Sequence, residues 1–191
     1  MELVAEPQVH QWTRQEYYKM AEAGLFNGKH VELIAGQVIE TSPMGSYHCT
    51  AVILTGDVLR RVFGQGCFVS IKHPLDLGQT SDPEPDVAVI AGDVRDYKDA
   101  HPTTAVLIVE VADTSLAYDC TTKASLYAKA GIPDYWILNL MDRQLEVRRD
   151  PVADPTRGDG LNRKRHERIH NQSSRGDRSG QKNQSQLDSP P

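Results

Sequence analysis

Residues 105–112 read AVLIVEVA, an apolar run that only Glu110 interrupts. An almost continuous run of this kind is typical of a strand that is covered on both faces of its sheet. A second run, VAVIA at residues 87–91, directly follows Asp86. The two runs predict two central strands, each accompanied by one acidic residue.

Helical patterns stand on either side of this β-rich block. Residues 47–63 have apolar residues at helical spacing and end before Gly64, and residues 116–130 end before Gly131. Thr13 is a candidate N-cap for an earlier helix, and the glutamate three residues later completes a capping box.

Five further segments have the composition of strands with turn residues between them: residues 30–34, 37–40, 67–72, 135–140 and 144–148. The third either ends at residue 72 or continues through residues 75–77. The first two form a hairpin around Ala35-Gly36, and the last two form a second hairpin. The predicted fold class is therefore α/β (α+β), with a mixed central sheet flanked by helices, an N-terminal helix and a β-hairpin.

The chain has 191 residues, 39% of them hydrophobic, and a formal net charge of −5, which fits one globular domain with an appendage. Its longest apolar run is far shorter than the roughly 20 residues of a membrane span, so we expect no membrane helix. Cys49, Cys67 and Cys120 form no CxxC pair, which favours reduced thiols over a disulfide framework or a zinc knuckle. The acidic N-terminus lacks the features of a secretory signal, so we expect a cytoplasmic protein.

The last part of the sequence differs in composition from the rest. Residues 156–191 hold eight Lys/Arg and four Asp/Glu, although the whole chain is acidic, and they contain only three large apolar residues. Such a segment buries too little surface to offset its ordering entropy. We therefore expect one domain at residues 1–155 and a basic, polar, disordered tail at residues 156–191. The abrupt change equally fits a frameshifted end of the gene.

Glu110 and Asp86 are the acidic residues that the predicted central strands must accommodate. A buried carboxylate is costly unless it is paired, protonated or bound to a metal. Alternatively, Glu110 lies near the end of its strand and faces solvent or an arginine, and Asp86 only fixes a turn. If the two strands are neighbours, both carboxylates reach one end of the sheet, where oxygen donors suit a hard cation such as Mg²⁺.

Two further charged residues are candidates to join this pair. Lys123 lies on the helix that follows the Glu110 strand; the plain alternative is an exposed ion pair with Asp119, four residues earlier. Glu32 lies in the first strand of the hairpin, where its apolar neighbours on either side equally allow it to face solvent.

A series of motifs occurs in one order along residues 10–150: a Trp-Thr helix start, HVELIAGQV at residues 30–38, GSYH at 45–48, PDV at 85–87, IVEV at 108–111, an aspartate and a lysine at 119 and 123, and GIPDYW at 131–136. In these motifs the chain resembles the Uma family of putative restriction endonucleases, within the PD-(D/E)XK nuclease superfamily. Several motifs in order are far more specific than any one of them.

The resemblance implies a restriction-endonuclease-like sandwich fold and a metal-dependent phosphodiesterase site. It implies that Asp86, Glu110 and Val111 hold the metal, which would be Mg²⁺ with Mn²⁺ as a substitute. Lys123 would be the catalytic lysine, and Glu32 an additional acid close to the metal. Two residues after Glu110 the chain has an alanine in place of the superfamily's lysine, so the assignment requires Lys123 to substitute from the helix.

The function expected from this interpretation is metal-dependent endonucleolytic hydrolysis of nucleic-acid phosphodiester bonds, with DNA as the substrate and a homodimer as a convenient way to cut both strands. The acidity of residues 1–155 argues against a nuclease, because DNA affinity depends on neutralising phosphates. A local groove with Arg60, Arg61 or Lys72 would answer that objection. The alternative is a catalytically inactive module on the same fold that binds nucleic acid or protein.

One motif in the tail points to a different chemistry. His166, Glu167 and His170 match the HExxH pattern, in which a helix presents two histidines to a zinc ion. Catalytic zinc needs a rigid helix and usually a third protein ligand, and this stretch has little apolar surface. We interpret the match as a coincidence.

Overall fold

A computed structural model describes residues 7–153 and 161–170 of the chain. The helices are α1 (Arg14–Glu22), α2 (Ser46–Phe63), α3 (Leu116–Tyr118) and α4 (Ala124–Lys129), with a 3₁₀ turn at Val94–Tyr97 and a π-helical turn at Asp119–Lys123. The strands are β1 (His30–Ile34), β2 (Gln37–Thr41), β3 (Cys67–Ile71), β4 (Val87–Ala91), β5 (Leu107–Ala112), β6 (Asp134–Asn139), β7 (Gln144–Ala153) and β8 (Leu161–His170). Within these two ranges, no helix combines the length and the apolar character that a membrane crossing requires.

Six strands form one mixed sheet in the order β3-β4-β5-β6-β7-β8, and β1 and β2 form a separate hairpin. β5 and β6 run parallel, and the other neighbouring pairs in the sheet are antiparallel. An isolated bridge between Leu33 and Asp82 ties the hairpin to the loop that precedes β4. Helices cover both faces of the sheet. The fold class predicted from the sequence is therefore confirmed.

The two apolar runs form interior strands. All residues of β5 are buried, and in β4 only Ala91 is exposed. Val109 and Val111 pack in one cluster with Val52 and Leu59 of α2, while the alternate residues of β5 pack in a second cluster with α4. Burial of each such side chain is worth about 1.5–3 kcal/mol, so apolar packing on both faces fixes which residues of β5 face each helical layer.

Local sequence signals set the ends of the N-terminal elements. Thr13 caps α1. The Glu16 main-chain N–H donates to the Thr13 hydroxyl oxygen, and the Thr13 main-chain N–H donates to the Glu16 carboxylate. The β1–β2 turn uses Ala35 and Gly36, which both have positive φ angles of 48° and 76°. A two-residue turn of this kind matches the twist of a hairpin. The predicted capping box and first hairpin are confirmed.

Residues 75–77 do not extend β3. The main-chain N–H groups of Leu75 and Leu77 instead donate to the carbonyl oxygens of Pro83 and Ser81. This segment is therefore one side of a loop, and the shorter of the two expected strands is the one that forms.

The tail predicted from residue 156 onward contains a strand. Leu161–His170 forms β8, the antiparallel partner of β7 at the edge of the sheet, which differs from the disorder expected for these residues. The physical reason is that strand pairing uses main-chain hydrogen bonds, and an edge strand carries charged side chains without burying them. Residues 154–160 and 171–191 lie outside the described part of the chain.

The strand β8 also contains the HExxH match. Zinc binding by this motif requires a helix, on which residues i and i+4 are neighbours. On a strand, residues four apart lie about 13 Å apart along the chain. The location of His166 and His170 on β8 agrees with the interpretation of the match as a coincidence.

Candidate active site

The antiparallel pairing of β4 and β5 brings Asp86 and Glu110 together. Val87 lies opposite Val109 in the ladder, so the residue before β4 meets the residue after Val109. The Asp86 main-chain N–H donates to Glu110 Oε2 over 3.3 Å, and the Val111 N–H donates to Asp86 Oδ2 over 2.7 Å. Both acidic side chains are buried. Two carboxyl groups from neighbouring strands therefore share one end of the sheet.

Two side chains reach the other oxygen of Asp86. Lys72 Nζ lies 2.6 Å from Asp86 Oδ1, and His48 Nε2 lies 3.1 Å from the same atom. Lys72 follows β3 directly, and His48 lies in the first turn of α2. Burial opposes ionisation of Asp86, but the hydrogen bond with His48 and the charge of Lys72 outweigh it and lower its pKa to about 2. Asp86 is therefore a carboxylate at neutral pH.

Glu110 has its own pair of donors. Lys123 Nζ lies 3.0 Å from Glu110 Oε1, and the Tyr127 hydroxyl donates to that oxygen over 2.7 Å. Burial raises the pKa of Glu110, and the Lys123 ammonium opposes that rise. Because Glu110 is only 2% exposed, the alternative in which it faces solvent does not apply.

Lys123 is the central cation of the cluster. It ends the π-helical turn Asp119–Lys123, and its Nζ contacts Glu32 Oε2 over 3.4 Å in addition to Glu110. Burial alone would lower the pKa of Lys123, but the surrounding carboxylates, Glu110 first, raise it. Lys123 therefore stays protonated at neutral pH. Both ends of the π-helical turn are buried, so Asp119 and Lys123 do not form the exposed surface pair that was the plain alternative.

Glu32 faces this cluster and not solvent. It is buried, and the main-chain N–H of Glu84 donates to Glu32 Oε2 over 3.3 Å. The hairpin therefore delivers a third carboxylate to the group formed by the sheet. The structure thus brings together the four side chains selected from the sequence: Asp86, Glu110, Lys123 and Glu32.

These groups open onto a cavity of about 330 Å³ between the hairpin, the start of α2 and the end of the sheet. The described lining residues include six carboxylic acids and two lysines, so the cavity has an excess of acidic groups. The Tyr118 hydroxyl lies at this cavity, buried and without a hydrogen-bond partner in the described part of the chain. The excess of carboxylates makes the cavity suited to attract a cation. The Tyr118 hydroxyl would be a hydrogen-bond partner for a water molecule or a phosphate oxygen bound to that cation.

A divalent cation fits this donor set. Asp86 and Glu110 supply carboxylates, and Val111 can add its main-chain carbonyl, because the N–H and C=O of one strand residue point to the same edge. Mg²⁺ prefers oxygen ligands and is often held by one or two carboxylates, with water and substrate phosphate completing its shell. The donor set therefore consists of two carboxylates and one main-chain oxygen, because the described ranges contain no group of three His, Cys, Asp or Glu side chains arranged to hold a metal ion.

His48 and Tyr127 also belong to the cluster, although sequence reasoning did not select them as site residues. The sequence favours a capping or packing role for His48, whose contact with Asp86 depends on how α2 packs against the sheet. Tyr127 had a usable signal: it lies four residues after Lys123, which places both on one face of a continuous helix.

The basic residues expected to form a groove divide into two groups. Lys72 lines the cavity. Arg60 and Arg61 lie in the last turn of α2, where Arg60 pairs with Asp57 over 2.9 Å and Arg61 donates to the Asp57 carbonyl oxygen over 3.1 Å. The two arginines therefore belong to a different part of the surface from the carboxylate cluster.

The sequence and the fold of this chain are similar to those of known proteins. The model of the Uma2 family ("Putative restriction endonuclease") matches residues 14–168, which include every site residue described above. Among solved structures, a "putative nuclease belonging to DUF820" from Anabaena variabilis is similar, with a TM-score of 0.57, 15% sequence identity, and coverage of 78% of this chain and 90% of that chain. At this identity the likeness shows a shared fold. No curated protein matches the sequence.

Proposed function

Because the chain belongs to the Uma2 family of putative restriction endonucleases, we propose that it hydrolyses phosphodiester bonds within DNA with the help of a divalent cation, Mg²⁺ or Mn²⁺. The observation that carries this proposal is the convergence of Asp86 and Glu110, from neighbouring strands, beside the Lys123 ammonium in one cavity.

Asp86, Glu110 and the main-chain carbonyl of Val111 would hold the cation. Such a cation supplies Lewis-acid chemistry: it polarises the scissile phosphate and lowers the pKa of a water molecule. Asp86 is ready to act as a ligand, because its lowered pKa keeps it ionised. Glu110 Oε2 accepts the 3.3 Å contact from the Asp86 N–H, which is longer than either contact at Glu110 Oε1. This oxygen is therefore the less firmly held of the two.

Lys123 would stabilise the charge that develops during hydrolysis. A water oxygen would bond to phosphorus while the bond from phosphorus to the leaving oxygen breaks, and negative charge would grow on the phosphate oxygens. In the net reaction, one proton of that water passes to the leaving oxygen, which departs as a hydroxyl group. Because Lys123 is buried and protonated, it acts as a fixed positive charge and not as a base. Glu32 contacts its ammonium and Tyr127 holds the carboxylate of Glu110. Removing one such preorganised group commonly lowers the rate about 10²–10³-fold.

The acidic lining of the cavity gives a second reason to expect a divalent cation at this site. A nucleic-acid phosphate is repelled by clustered carboxylates, and the lysines of the lining neutralise only part of that charge. A divalent cation held by Asp86 and Glu110 would offset part of this repulsion. The requirement for a cation therefore follows from the approach of the substrate as well as from the reaction.

A cleavage assay tests this proposal. Labelled duplex DNA, single-stranded DNA and RNA are incubated with the protein in Mg²⁺, Mn²⁺ or chelator. We expect cation-dependent cleavage of DNA, and a rate at least about 100-fold lower for Glu110→Gln. Glu22→Gln is the matched control, because Glu22 is exposed at the end of α1.

Full activity of Glu110→Gln, or wild-type cleavage that survives the chelator, would contradict the proposed chemistry. Preference for RNA would contradict the assignment of DNA as the substrate and would leave the proposed chemistry in place. Binding of nucleic acid without cleavage in any cation would support the alternative function, an inactive interaction module.

We also propose that two copies act together, one on each strand of duplex DNA. Four exposed apolar side chains follow one side of α2 and support an interface there: Tyr47, Leu54, Val58 and Val62. Val58→Asp should then convert a dimer into a monomer in light scattering. Val94→Asp, on the exposed 3₁₀ turn, should leave the dimer intact. A monomeric wild-type protein would contradict this part of the proposal.

A further inference from the structure

Lys72 reaches the cluster by an unusual backbone path. It follows β3 with a φ angle of 52°, in the left-handed region that side-chain-bearing residues seldom adopt. Its main-chain N–H donates to the Pro85 carbonyl over 3.1 Å, which ties the end of β3 to the residue before Asp86. Backbone strain of this kind persists where the surrounding contacts hold it in place, often at functional sites. The contact at the end of this path is the 2.6 Å ion pair with Asp86 Oδ1.

The ion pair places an ammonium group where a cation would bind. Asp86 Oδ2 accepts the Val111 N–H, and Oδ1 is shared by Lys72 and His48. A divalent cation on Oδ1 would lie close to the Lys72 ammonium, and two like charges at such a distance repel strongly in a partly buried site. The ammonium and the cation therefore compete for one carboxylate.

The two lysines of the cavity differ in their freedom to move. The Lys123 side chain is 7% exposed and lies between Glu110 and Glu32. The Lys72 side chain is 24% exposed, and in the described part of the chain its ion pair is with Asp86. Lys72 can therefore leave its carboxylate towards the open cavity, whereas Lys123 is held from two sides.

We propose that the Lys72 ammonium occupies the cation site of the metal-free protein, and that binding of a divalent cation displaces this ammonium into the cavity. There the Lys72 ammonium binds a phosphate oxygen of the nucleic acid. This inference rests on the proposed function and adds a phosphate-binding lysine to it. Lys72 then has two opposite effects: it weakens cation binding by competition, and it strengthens substrate binding once the cation is in place.

Mn²⁺ titration of the full chain without nucleic acid, by calorimetry or electron paramagnetic resonance, tests the competition. Lys72→Met keeps the length of the side chain and removes its charge, so we expect about tenfold tighter Mn²⁺ binding, which corresponds to about 1.4 kcal/mol. Lys98→Met is the matched control, because Lys98 is exposed on the surface near the 3₁₀ turn and pairs with Asp99. It should bind Mn²⁺ as the wild type does.

The outcomes separate this inference from the proposed function. Equal or weaker Mn²⁺ binding by a folded Lys72→Met protein would overturn the competition while leaving the metal site in place. Absence of Mn²⁺ binding in the wild type and in both variants would overturn the metal site itself, and the inference with it.

A measurement on the wild-type protein avoids dependence on the folding of a variant. Acetylation by an amine-reactive reagent, followed by mass spectrometry, reports how accessible each lysine is. We expect the modification rate of Lys72 to rise severalfold when Mn²⁺ is added, with no change at Lys98. An unchanged rate at Lys72 in protein that binds Mn²⁺ would mean that the ammonium is not displaced.

The phosphate contact has its own readout. At saturating Mn²⁺, we expect Lys72→Met to raise the KM for DNA severalfold, although the variant binds the cation more tightly. Lys98→Met should leave KM unchanged. Tighter cation binding combined with an unchanged KM would overturn the role of the displaced lysine in binding phosphate.

Discussion

Tyr127 donates its hydroxyl hydrogen to Glu110 Oε1 over 2.7 Å, the same oxygen that lies 3.0 Å from the Lys123 ammonium. The hydrogen bond is buried, so its loss leaves the Glu110 oxygen with one donor fewer. Through this oxygen, α4 and the π-helical turn before it hold the acidic residue of β5.

Tyr127→Phe should therefore lower the free energy of unfolding by about 1–3 kcal/mol, the usual cost of removing one partner from a buried polar group. Urea denaturation measures this loss. Tyr97→Phe is the control, since the Tyr97 hydroxyl donates to the Ala91 carbonyl over 3.0 Å at the surface. The control should lose about 1 kcal/mol or less. Equal losses in the two variants would show that Glu110 does not depend on Tyr127.

Lys123→Met should destabilise the protein more than any single hydrogen-bond deletion. It leaves Glu110 and Glu32 close together without their shared counter-charge. Breaking a buried ion pair from one side typically costs about 3–5 kcal/mol, and urea denaturation at neutral pH should show a loss of that size. Lys29→Met removes an exposed pair with Glu40 and should cost about 1 kcal/mol or less. A stable Lys123→Met protein would indicate that the carboxyl groups are already neutral.

His48→Ala should weaken Mn²⁺ binding by about 10–100-fold, because groups that orient a metal-binding carboxylate typically contribute this much to affinity. His48 and Lys72 contact the same oxygen of Asp86, yet we expect opposite signs on metal affinity from their removal. His73→Ala is the control, since His73 contacts Ser70 outside the cavity lining. Unchanged affinity in His48→Ala would assign His48 to packing alone.

The pair formed by Tyr18 and Asp82 should make stability fall at alkaline pH. The Tyr18 hydroxyl donates to Asp82 Oδ2 over 2.6 Å. Burial and this hydrogen bond raise the pKa of Tyr18 from 10.0 to about 12. Because the folded state holds the proton more tightly, the stabilisation is complete below pH 10 and is lost as the pH rises towards 12.

Unfolding free energies of wild type and Tyr18→Phe, measured by urea denaturation from pH 8 to pH 12, test this sign. The advantage of the wild type should be constant up to about pH 10 and then shrink. An advantage that grows with pH would contradict the assignment.

The sequence predicts the centre of this site because a charge inside an apolar run has few physical explanations. Glu110 and Asp86 accompany the two most apolar strands, and antiparallel pairing of those strands leaves their carboxyl groups at one end of the sheet. The sequence leaves Glu32 and Lys123 undecided, because an alternating strand and an i,i+4 pair are also typical of exposed surfaces. Only the packing of the hairpin and the helix against the sheet determines whether these two side chains are buried or face solvent.

The remaining site residues depend on tertiary structure that no local pattern reports. Lys72 reaches Asp86 through a left-handed backbone conformation, and His48 does so through the position of α2 on the sheet. The strand β8 was missed for a different reason, since its main chain pairs with β7 while its sequence is mostly polar. Amino-acid composition predicts which segments are buried, whereas an edge strand forms main-chain hydrogen bonds without being buried.

The π-helical turn at Asp119–Lys123 sets the rotational phase between α3 and α4. One residue more in a helical turn rotates everything that follows by about 100° relative to an uninterrupted α-helix. If these five residues instead formed an ordinary α-helical turn, Tyr127 would point about 100° away from the direction in which it meets Glu110, although neither residue is altered. The hydrogen bond between Tyr127 and Glu110 thus depends on the backbone geometry of a turn that contains neither residue.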